Sequence, residues 1–355
     1  INLRASGSIT LYAVWEANTY EVIYDKNTPT NTSNAVSGVM VNSTHTYDTY
    51  KNLSPNQYSL EGYTFKGWST SSDGLVVYND EASVINLRAS GSITLYAVWE
   101  ANKYQIKYNP NKPSNTSGNV FGSMSNTNHT YDSKDALLEN EYSLPGYTFK
   151  GWSTSANGTV DYKDGEDVKN LSSVNNGVAN LYAVWEANKY TITFNTTGGS
   201  YVNNIQVIFD EEFLKIVPPT RKGYNFEGYY TLPNGKGIKY YNADGTSIFA
   251  KYTNDSNITL YAEWSPVVYN IELYSQGKYV GIVENVVYGY MRLPSCEDLG
   301  IIRANYDFVG WNIYEDQNWS MYNANFDYNT GLGEYDGQTV ILNAAWLEKY
   351  LFNKL

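Results

Sequence analysis

The chain has 355 residues, of which 42% are hydrophobic and 16% aromatic, so it carries enough apolar side chains for packed cores and is not a disordered chain. Its net charge of -12 opposes binding to nucleic-acid phosphates and to anionic membrane surfaces. Tyrosine occurs 36 times, and because its ring suits half-buried sheet faces, the composition predicts a β-rich protein.

The sequence is a tandem repeat. Residues 1–18 recur letter for letter at 85–102, which is the strongest internal similarity in the chain. Diverged copies of this closing segment end at Asn188, Pro266 and Glu348. Copies of a second motif, GYTFKGWST in its least diverged form, start at Gly62, Gly146, Gly223 and Asn305.

These motifs predict four repeats that follow one repeat fragment. The fragment is 1–18, and the first, second, third and fourth repeats are 19–102, 103–188, 189–266 and 267–355. Each repeat is long enough to bury a core of its own. Only short connections without a Gly or Pro run, such as Glu100-Ala101-Asn102-Lys103, separate neighbouring repeats. We therefore expect an elongated, semi-rigid array whose first partners are the neighbouring repeats themselves.

The closing strand of each repeat alternates between two faces, because successive side chains of a strand point to opposite sides. One face stays apolar in every copy and ends in a tryptophan, which predicts a core position for Trp15, Trp99, Trp185, Trp264 and Trp346. The other face accepts a glutamate at Glu263, so we expect it to meet solvent. Its tyrosines either pack against the neighbouring repeat or are candidate residues for stacking on sugars or on a protein partner: Tyr12, Tyr96, Tyr182 and Tyr261.

The GYTFKGW motif alternates in the same way, with a polar residue between two aromatic ones. We predict that its aromatic residues pack in the cores: Tyr63, Phe65 and Trp68, Tyr147, Phe149 and Trp152, Tyr224 and Phe226, and Tyr306, Phe308 and Trp311. A glycine precedes the last ring in every copy. Glycine inside a strand pattern usually marks a β-bulge, so we expect a bulge at each of these glycines.

Each repeat also opens with an alternating strand, such as Tyr20 to Tyr24. A short helix is predicted at Ser133–Asn140 and another at Asp210–Lys215, where acidic residues lie at the favourable amino-terminal end. The resulting order β-β-α-β-β indicates an α+β, β-rich fold, in which one helix crosses a four-stranded mixed sheet as in β-grasp (ubiquitin-like) domains. The pattern leaves the strand order open.

The residue types needed for catalysis or metal binding are scarce. His45 and His129 are the only histidines, one in each of two repeats, and we expect each to be an imidazole in a loop or at a strand edge. Cys296 is the only cysteine and is predicted to be a buried or partly buried thiol. We interpret the pair Glu211 and Glu212 as part of a solvated helix start. The sequence therefore predicts no catalytic residues, no metal site and no cofactor.

The spacing from the GYTFKGW motif to the closing TLYAVW strand closely resembles the Listeria-Bacteroides repeat family, also called the internalin B-type B repeat. The resemblance is strong for 19–102 and 103–188, good for 189–266, and weaker for 267–355, where Asn305 replaces the leading glycine. It implies small β-grasp domains in tandem on secreted or cell-wall proteins of bacteria. It also implies a spacer or adhesin module and brings no catalytic residues.

The favoured function is a non-enzymatic stalk or adhesin spacer at the bacterial cell surface or on a secreted protein. One alternative is that the array itself binds a cell-surface glycan or a host protein, because residues repeated along it would give avidity. Another is self-assembly into a fibre, which the near-identical early repeats suggest. We expect no nucleic-acid partner and no membrane insertion in this segment, since no run of apolar residues approaches a membrane span.

Overall fold

The computed structural model describes residues 8–315 and 318–349, without the side chains of 314, 315, 318 and 319. The chain divides between Glu186 and Ala187 into two compact units. Within the described ranges the regular secondary structure consists of β-strands, without a helix. The predicted α+β, β-grasp fold is therefore wrong, and the chain is an all-β protein.

The first repeat is built on a four-stranded sheet. Its strands are β1 Thr19–Asp25, β2 Ser43–Thr46, β3 Lys51–Asn52, β4 Tyr63–Ser69, β5 Ser83–Val84 and β6 Gly91–Ala101. The sheet order is β2-β1-β6-β4, and β3 pairs with β5 outside it. Strand β1 runs antiparallel to β2 but parallel to β6, and β4 runs antiparallel to β6.

The second repeat has the same arrangement. Its strands are β7 Lys103–Asn109, β8 Thr127–Thr130, β9 Asp135–Ala136, β10 Tyr147–Ser153, β11 Asp167–Val168 and β12 Gly177–Ala187. The order β10-β12-β7-β8 is that of the first repeat read from the opposite edge, and β9 pairs with β11. The parallel pair again joins the opening strand to the closing strand.

The third repeat extends the sheet by one strand. Its strands are β13 Lys189–Asn195, β14 Ile205–Ile208, β15 Tyr224–Leu232, β16 Lys236–Tyr241 and β17 Ile258–Pro266. The order is β14-β13-β17-β15-β16. The added strand β16 forms an antiparallel hairpin with β15, so the GYTF strand is no longer at the sheet edge.

The fourth repeat has this same five-strand order despite its diverged sequence. Its strands are β18 Val268–Ser275, β19 Lys278–Val287, β20 Met291–Arg292, β21 Tyr306–Glu315, β22 Asn318–Tyr322, β23 Asp327–Tyr328 and β24 Thr339–Glu348. The sheet order is β19-β18-β24-β21-β22, while β20 pairs with β23. The shared order means that the pattern of alternating apolar residues is enough to specify the sheet.

Extended chain takes the place of both predicted helices. In the second repeat Asp135 and Ala136 form β9, and the next residue, Leu137, is buried while its N–H donates to the Glu166 carbonyl at 2.9 Å. In the third repeat Phe213 is buried, and its N–H donates to the Ala250 carbonyl at 3.0 Å. A helix shorter than about 12 residues is marginal in water. An extended segment buries the same apolar side chain and pairs its backbone as well.

The bulges predicted at Gly67, Gly228 and Gly310 are confirmed. The pairing of β4 with β6 shifts register between Phe65 and Gly67, and the third and fourth repeats shift at Gly228 and Gly310. A Cβ atom at Gly67 would lie 2.5 Å from the Tyr78 carbonyl oxygen, which is closer than side chains come to backbone atoms. The glycine therefore lets the strand shift so that the following ring, Trp68, is fully buried.

Candidate functional site: the joint between consecutive repeats

The predicted core aromatics fall into two groups. Trp68, Trp152 and Trp311 are fully buried at the centre of their repeats, and Tyr229 occupies the corresponding place in the third repeat. The others in the described repeats are buried less completely against the hydrophobic clusters or at the repeat ends: Tyr63, Phe65, Trp99, Tyr147, Phe149, Trp185, Tyr224, Phe226, Trp264, Tyr306, Phe308 and Trp346.

Trp15 does not have the core position predicted for it. Its side chain is 88% exposed, and residues 8–18 belong to no strand. In the first repeat the same segment forms β6 because β1 and β4 flank it on both sides. Among the described residues no strand pairs with residues 8–18.

The candidate binding tyrosines differ in their surroundings. Tyr12 is 86% exposed on the unpaired segment. In contrast, Tyr96, Tyr182 and Tyr261 are half-buried on β6, β12 and β17. Each of these three strands has a neighbour on both sides, which leaves only part of each ring accessible. Their role in binding stays a prediction.

The joint between the first and second repeats lies within the unit Ile1–Glu186. At its centre an aromatic ring of the second repeat packs against a glycine of the first. Tyr131, in the turn after β8, packs against Gly62 at the start of the GYTF strand and is only 6% exposed. A Cβ atom on Gly62 would lie 2.2 Å from the Tyr131 ring. The ring of the next residue, Tyr63, packs edge-on against the Tyr131 ring, with 6.0 Å between the ring centroids. Glycine is required here because the two repeats come so close.

Asn102 lies at the centre of this joint and is nearly buried. Its N–H donates to the Gly62 carbonyl at 2.8 Å, and its own carbonyl accepts from the Tyr131 N–H at 2.8 Å. The side-chain oxygen accepts from Thr64 Oγ1 at 2.6 Å, and Nδ2 donates to the Ser173 carbonyl at 2.8 Å. One linker residue thereby fixes both repeats through its backbone and its side chain.

A buried carboxylate adds a second polar contact. Tyr63 donates its hydroxyl proton to Asp132 Oδ2 at 3.1 Å, and Asn34 Nδ2 of the first repeat donates to the Tyr131 hydroxyl at 3.0 Å. The Asp132 side chain is 2% exposed, and Lys169 pairs with it at 2.9 Å. Burial by itself raises the pKa of Asp132, but hydrogen bonds from Asn170, Lys169 and other donors outweigh it and lower the pKa to about 2.

The unit Ala187–Leu355 contains a second joint, built on the same backbone. The Val267 N–H donates to the Gly223 carbonyl and the Tyr288 N–H donates to the Val267 carbonyl, each at 3.0 Å. A Cβ atom on Gly223 would lie 2.2 Å from the Tyr288 ring. The Tyr224 ring packs edge-on against the Tyr288 ring, with 5.5 Å between the ring centroids. The glycine, the two rings and the linker residue therefore recur at equivalent places.

Sequence reasoning assigned Tyr63 and Tyr224 to the cores and missed Tyr131, Asp132 and Tyr288 altogether. A signal was present, because the run HTYD occurs at both 45–48 and 129–132. Its tyrosine is 36% exposed at Tyr47 but 6% exposed at Tyr131, where a repeat lies against it.

The two histidines lie at strand edges, as predicted, and both side chains are buried. His45 and His129 lie on the edge strands β2 and β8 with their side chains buried, and each stacks on a tyrosine of the opening strand. Nε2 of His45 is 2.9 Å from Ser43 Oγ. Burial, with a smaller contribution from Lys51, lowers the pKa of His45, and burial also lowers that of His129.

Two surface depressions lie away from the joints. One, of about 350 Å³, is lined in the second repeat by Trp185 together with polar groups of Asn111, Lys112, Ser114 and Asn157. The other, of about 510 Å³, is mostly apolar and lies in the third repeat between β14 and residues 211–216.

The predicted burial of Cys296 is confirmed: the thiol is fully buried, which raises its pKa to about 11. No group of three or more His, Cys, Asp or Glu side chains arranged to hold a metal ion occurs among residues 8–315 and 318–349. The same part of the chain contains no helix with the length and hydrophobicity to span a membrane.

The sheets define small all-β repeats in tandem, and within each unit the two consecutive repeats meet at a joint of the same design. The sequence profile of the Listeria-Bacteroides repeat domain matches residues 20–98, 104–184 and 190–263. The chain belongs to this family. Residues 267–349 lie outside the matched ranges, yet their sheet has the same strand order as that of the third repeat.

Longer bacterial proteins resemble the chain. Two proteins of Evansella cellulosilytica, provisionally described as a Gly-rich membrane protein and a membrane protein, are each 28% identical to it over 87% and 95% of this chain. Internalin H of Listeria monocytogenes is 31% identical over 34% of this chain. The chain spans 32%, 45% and 19% of these three proteins, respectively.

Proposed function

We propose that the chain is a non-enzymatic, semi-rigid spacer in an extracellular bacterial surface protein. The observation that carries this proposal is the recurrence of one joint at Asn102 and at Val267, with the same backbone hydrogen bonds and the same ring against a glycine. Repeats that are joined by flexible linkers move independently and do not need contacts of this kind. A joint rebuilt in each unit instead favours a protein whose role is to hold successive repeats in fixed positions.

The surface location rests on the family and on the relatives. Membership in the Listeria-Bacteroides repeat family and similarity to an internalin and to two membrane proteins support it. The abundance of Tyr, Asn, Ser and Thr over charged residues fits an exposed, repeat-built segment, since 17% of residues are charged.

Distance measurements between spin labels test the spacer. Labels at Thr70→Cys and Thr159→Cys in the full chain report on the first and second repeats, since both positions are exposed and Cys296 is buried. We expect a distance distribution as narrow as that of a control pair within the first repeat, Thr70→Cys with Val39→Cys. A broad distribution for the first pair beside a narrow control would contradict the spacer function.

Glycan binding is a second candidate, favoured by the depression at Trp185. The indole Nε1–H donates to the Pro110 carbonyl at 2.9 Å, which fixes the ring beside the amides of Asn111 and Asn157. A fixed aromatic ring bordered by a few polar groups is suited to a sugar. The first repeat fixes Trp99 in the same way, through the Lys26 carbonyl.

A glycan array probed with the full chain decides this candidate. Binding that is saturable and is lost in Lys112→Ala/Asn157→Ala supports it, because both side chains are exposed and line the depression. Asn126→Ala, exposed in the same repeat but outside the depression, is the matched control. Absence of saturable binding by the unmodified chain excludes the candidate for the glycans on the array.

A further inference from the structure

The GYTF strand begins with a left-handed residue in all four repeats, but this residue is a glycine in only three of them. The φ angles are 78° at Gly62, 77° at Gly146, 73° at Gly223 and 64° at Asn305. Asparagine tolerates this conformation better than most residues with a side chain. The backbone angle alone therefore accepts either residue.

What separates the two residue types is the space required by a neighbouring repeat. At Gly62 a Cβ atom would lie 2.2 Å from the Tyr131 ring, and at Gly223 the same distance from the Tyr288 ring. Contacts under 3.0 Å are essentially never made by real Cβ atoms. Both rings are held in place by their own backbone N–H groups, which donate to Asn102 and Val267.

The end of the fourth repeat keeps one of the two backbone hydrogen bonds of a joint. The Lys349 N–H donates to the Asn305 carbonyl at 2.7 Å, as Asn102 does to Gly62 and Val267 to Gly223. The guanidinium of Arg303 lies 3.5 Å from the centre of the Tyr306 ring, as Arg221 lies 3.8 Å from that of Tyr224. The glycine is replaced by Asn305, whose Cβ atom takes the place in which a Cβ atom at Gly62 or Gly223 would clash with the ring of the next repeat.

We propose that the first residue of the GYTF strand decides whether a repeat accepts another repeat after it. Glycine leaves space for a following repeat that carries tyrosine at the position of Tyr131 or Tyr288, whereas the side chain of asparagine clashes with that tyrosine. The end of the fourth repeat therefore does not dock a further repeat of this family. This inference rests on the joint that underlies the spacer function and names its specificity-determining residue.

The test places asparagine in the first joint. In the full chain Gly62→Asn retains the backbone conformation seen at Asn305 but sets a side chain against Tyr131. With spin labels at Thr70→Cys and Thr159→Cys, we expect the narrow inter-repeat distance distribution to become broad. Gly91→Asn is the matched control, because Gly91 has φ 83° in the same repeat and a Cβ atom there would have 3.9 Å of clearance. It is expected to leave the distribution narrow.

Two further measurements make every outcome decisive. Gly62→Asn is expected to speed hydrogen exchange of residues 62–70 by a smaller factor in Tyr131→Ala than in the unmodified chain, because a direct clash disappears with the ring. The label pair Val39→Cys with Thr70→Cys is expected to stay narrow in Gly62→Asn, because the clash concerns the joint and not the repeat.

The proposal is overturned if Gly62→Asn leaves the inter-repeat distribution narrow, or if the Val39 and Thr70 pair broadens. The second result would mean that the repeat itself does not tolerate asparagine. A broad distribution in the unmodified chain would instead remove the spacer function, so the two failures are distinguishable.

Discussion

The joints of the two units share one geometry but use different chemistry. In the unit Ile1–Glu186 the linker residue is Asn102, which makes two side-chain hydrogen bonds, whereas in Ala187–Leu355 it is Val267, which is fully buried. The first joint buries the carboxylate of Asp132, and the second has Gly289 at that position in the chain. The ring against glycine and the linker backbone bonds are common to both.

The difference shows which part of the joint is essential. Polar side chains are exchanged for apolar ones where the backbone can satisfy its own hydrogen bonds without them. The close approach of an aromatic ring to a glycine is kept, because no other residue leaves that space. Variants that act on one joint and spare the other therefore separate the shared geometry from the local chemistry.

Removal of the ring is expected to have the largest effect. Tyr131→Ala deletes a side chain that is 6% exposed, and loss of a buried aromatic ring costs about 3–5 kcal/mol. Tyr288→Ala is expected to cost less, since Tyr288 is half-buried. Hydrogen exchange measured by mass spectrometry should show faster exchange around 62–70 in the first variant only. Equal protection of that segment with and without the ring would contradict its role in the joint.

Acid is expected to weaken the first joint through Asp132 at a pH well below the usual carboxylate range. The pKa of Asp132 is lowered from 3.8 to about 2, so its contribution is complete above pH 3.8 and is lost as the pH falls through about 2. The shift corresponds to about 2 kcal/mol near neutral pH, of which Asn170 and Lys169 in the second repeat supply the larger part and Thr32 and Tyr63 across the joint the smaller. Label distances across the joint, recorded between pH 5 and pH 2, measure it.

Asp132→Asn is the control for this titration. It should remove the step between pH 4 and pH 2 and weaken the joint at neutral pH. If the variant keeps the acid transition of the unmodified chain, Asp132 is not the titrating group.

Exchange of the linker residues is expected to have an intermediate effect. Asn102→Val leaves the Ser173 carbonyl and the Thr64 hydroxyl without their partner, and an unsatisfied buried polar group costs about 1–3 kcal/mol. Val267→Asn places an amide in a fully buried position of the second joint and should cost a similar amount. Hydrogen exchange of the two linkers compares them directly. If neither substitution changes the hydrogen exchange of its linker, the linker side chain does not stabilise the joint.

The exposed ion pair of the second joint is expected to contribute least. Lys222 Nζ lies 3.3 Å from Glu334 Oε1, and both side chains are more than half exposed. Pairs of this kind contribute about 0–1 kcal/mol and are screened by salt. Glu334→Gln should therefore leave hydrogen exchange around 223–232 almost unchanged. Marked deprotection of that segment would show that the joint depends on the pair.

The sequence alone determined the repeat, the alternation of its strands and the bulge at Gly67, because these depend on local spacing and on the two faces of a strand. It also located the buried ring Trp68, because an aromatic residue follows the bulge glycine in every copy.

The remaining features depend on contacts between residues that are distant in sequence. The segments around Leu137 and Phe213 are extended rather than helical because partners distant in sequence, Glu166 and Ala250, pair their backbones. Trp15 lies exposed because a strand is defined by its neighbours as well as by its own pattern. The joint also depends on contacts across about 70 residues, such as Tyr63 with Asp132, which no local pattern encodes.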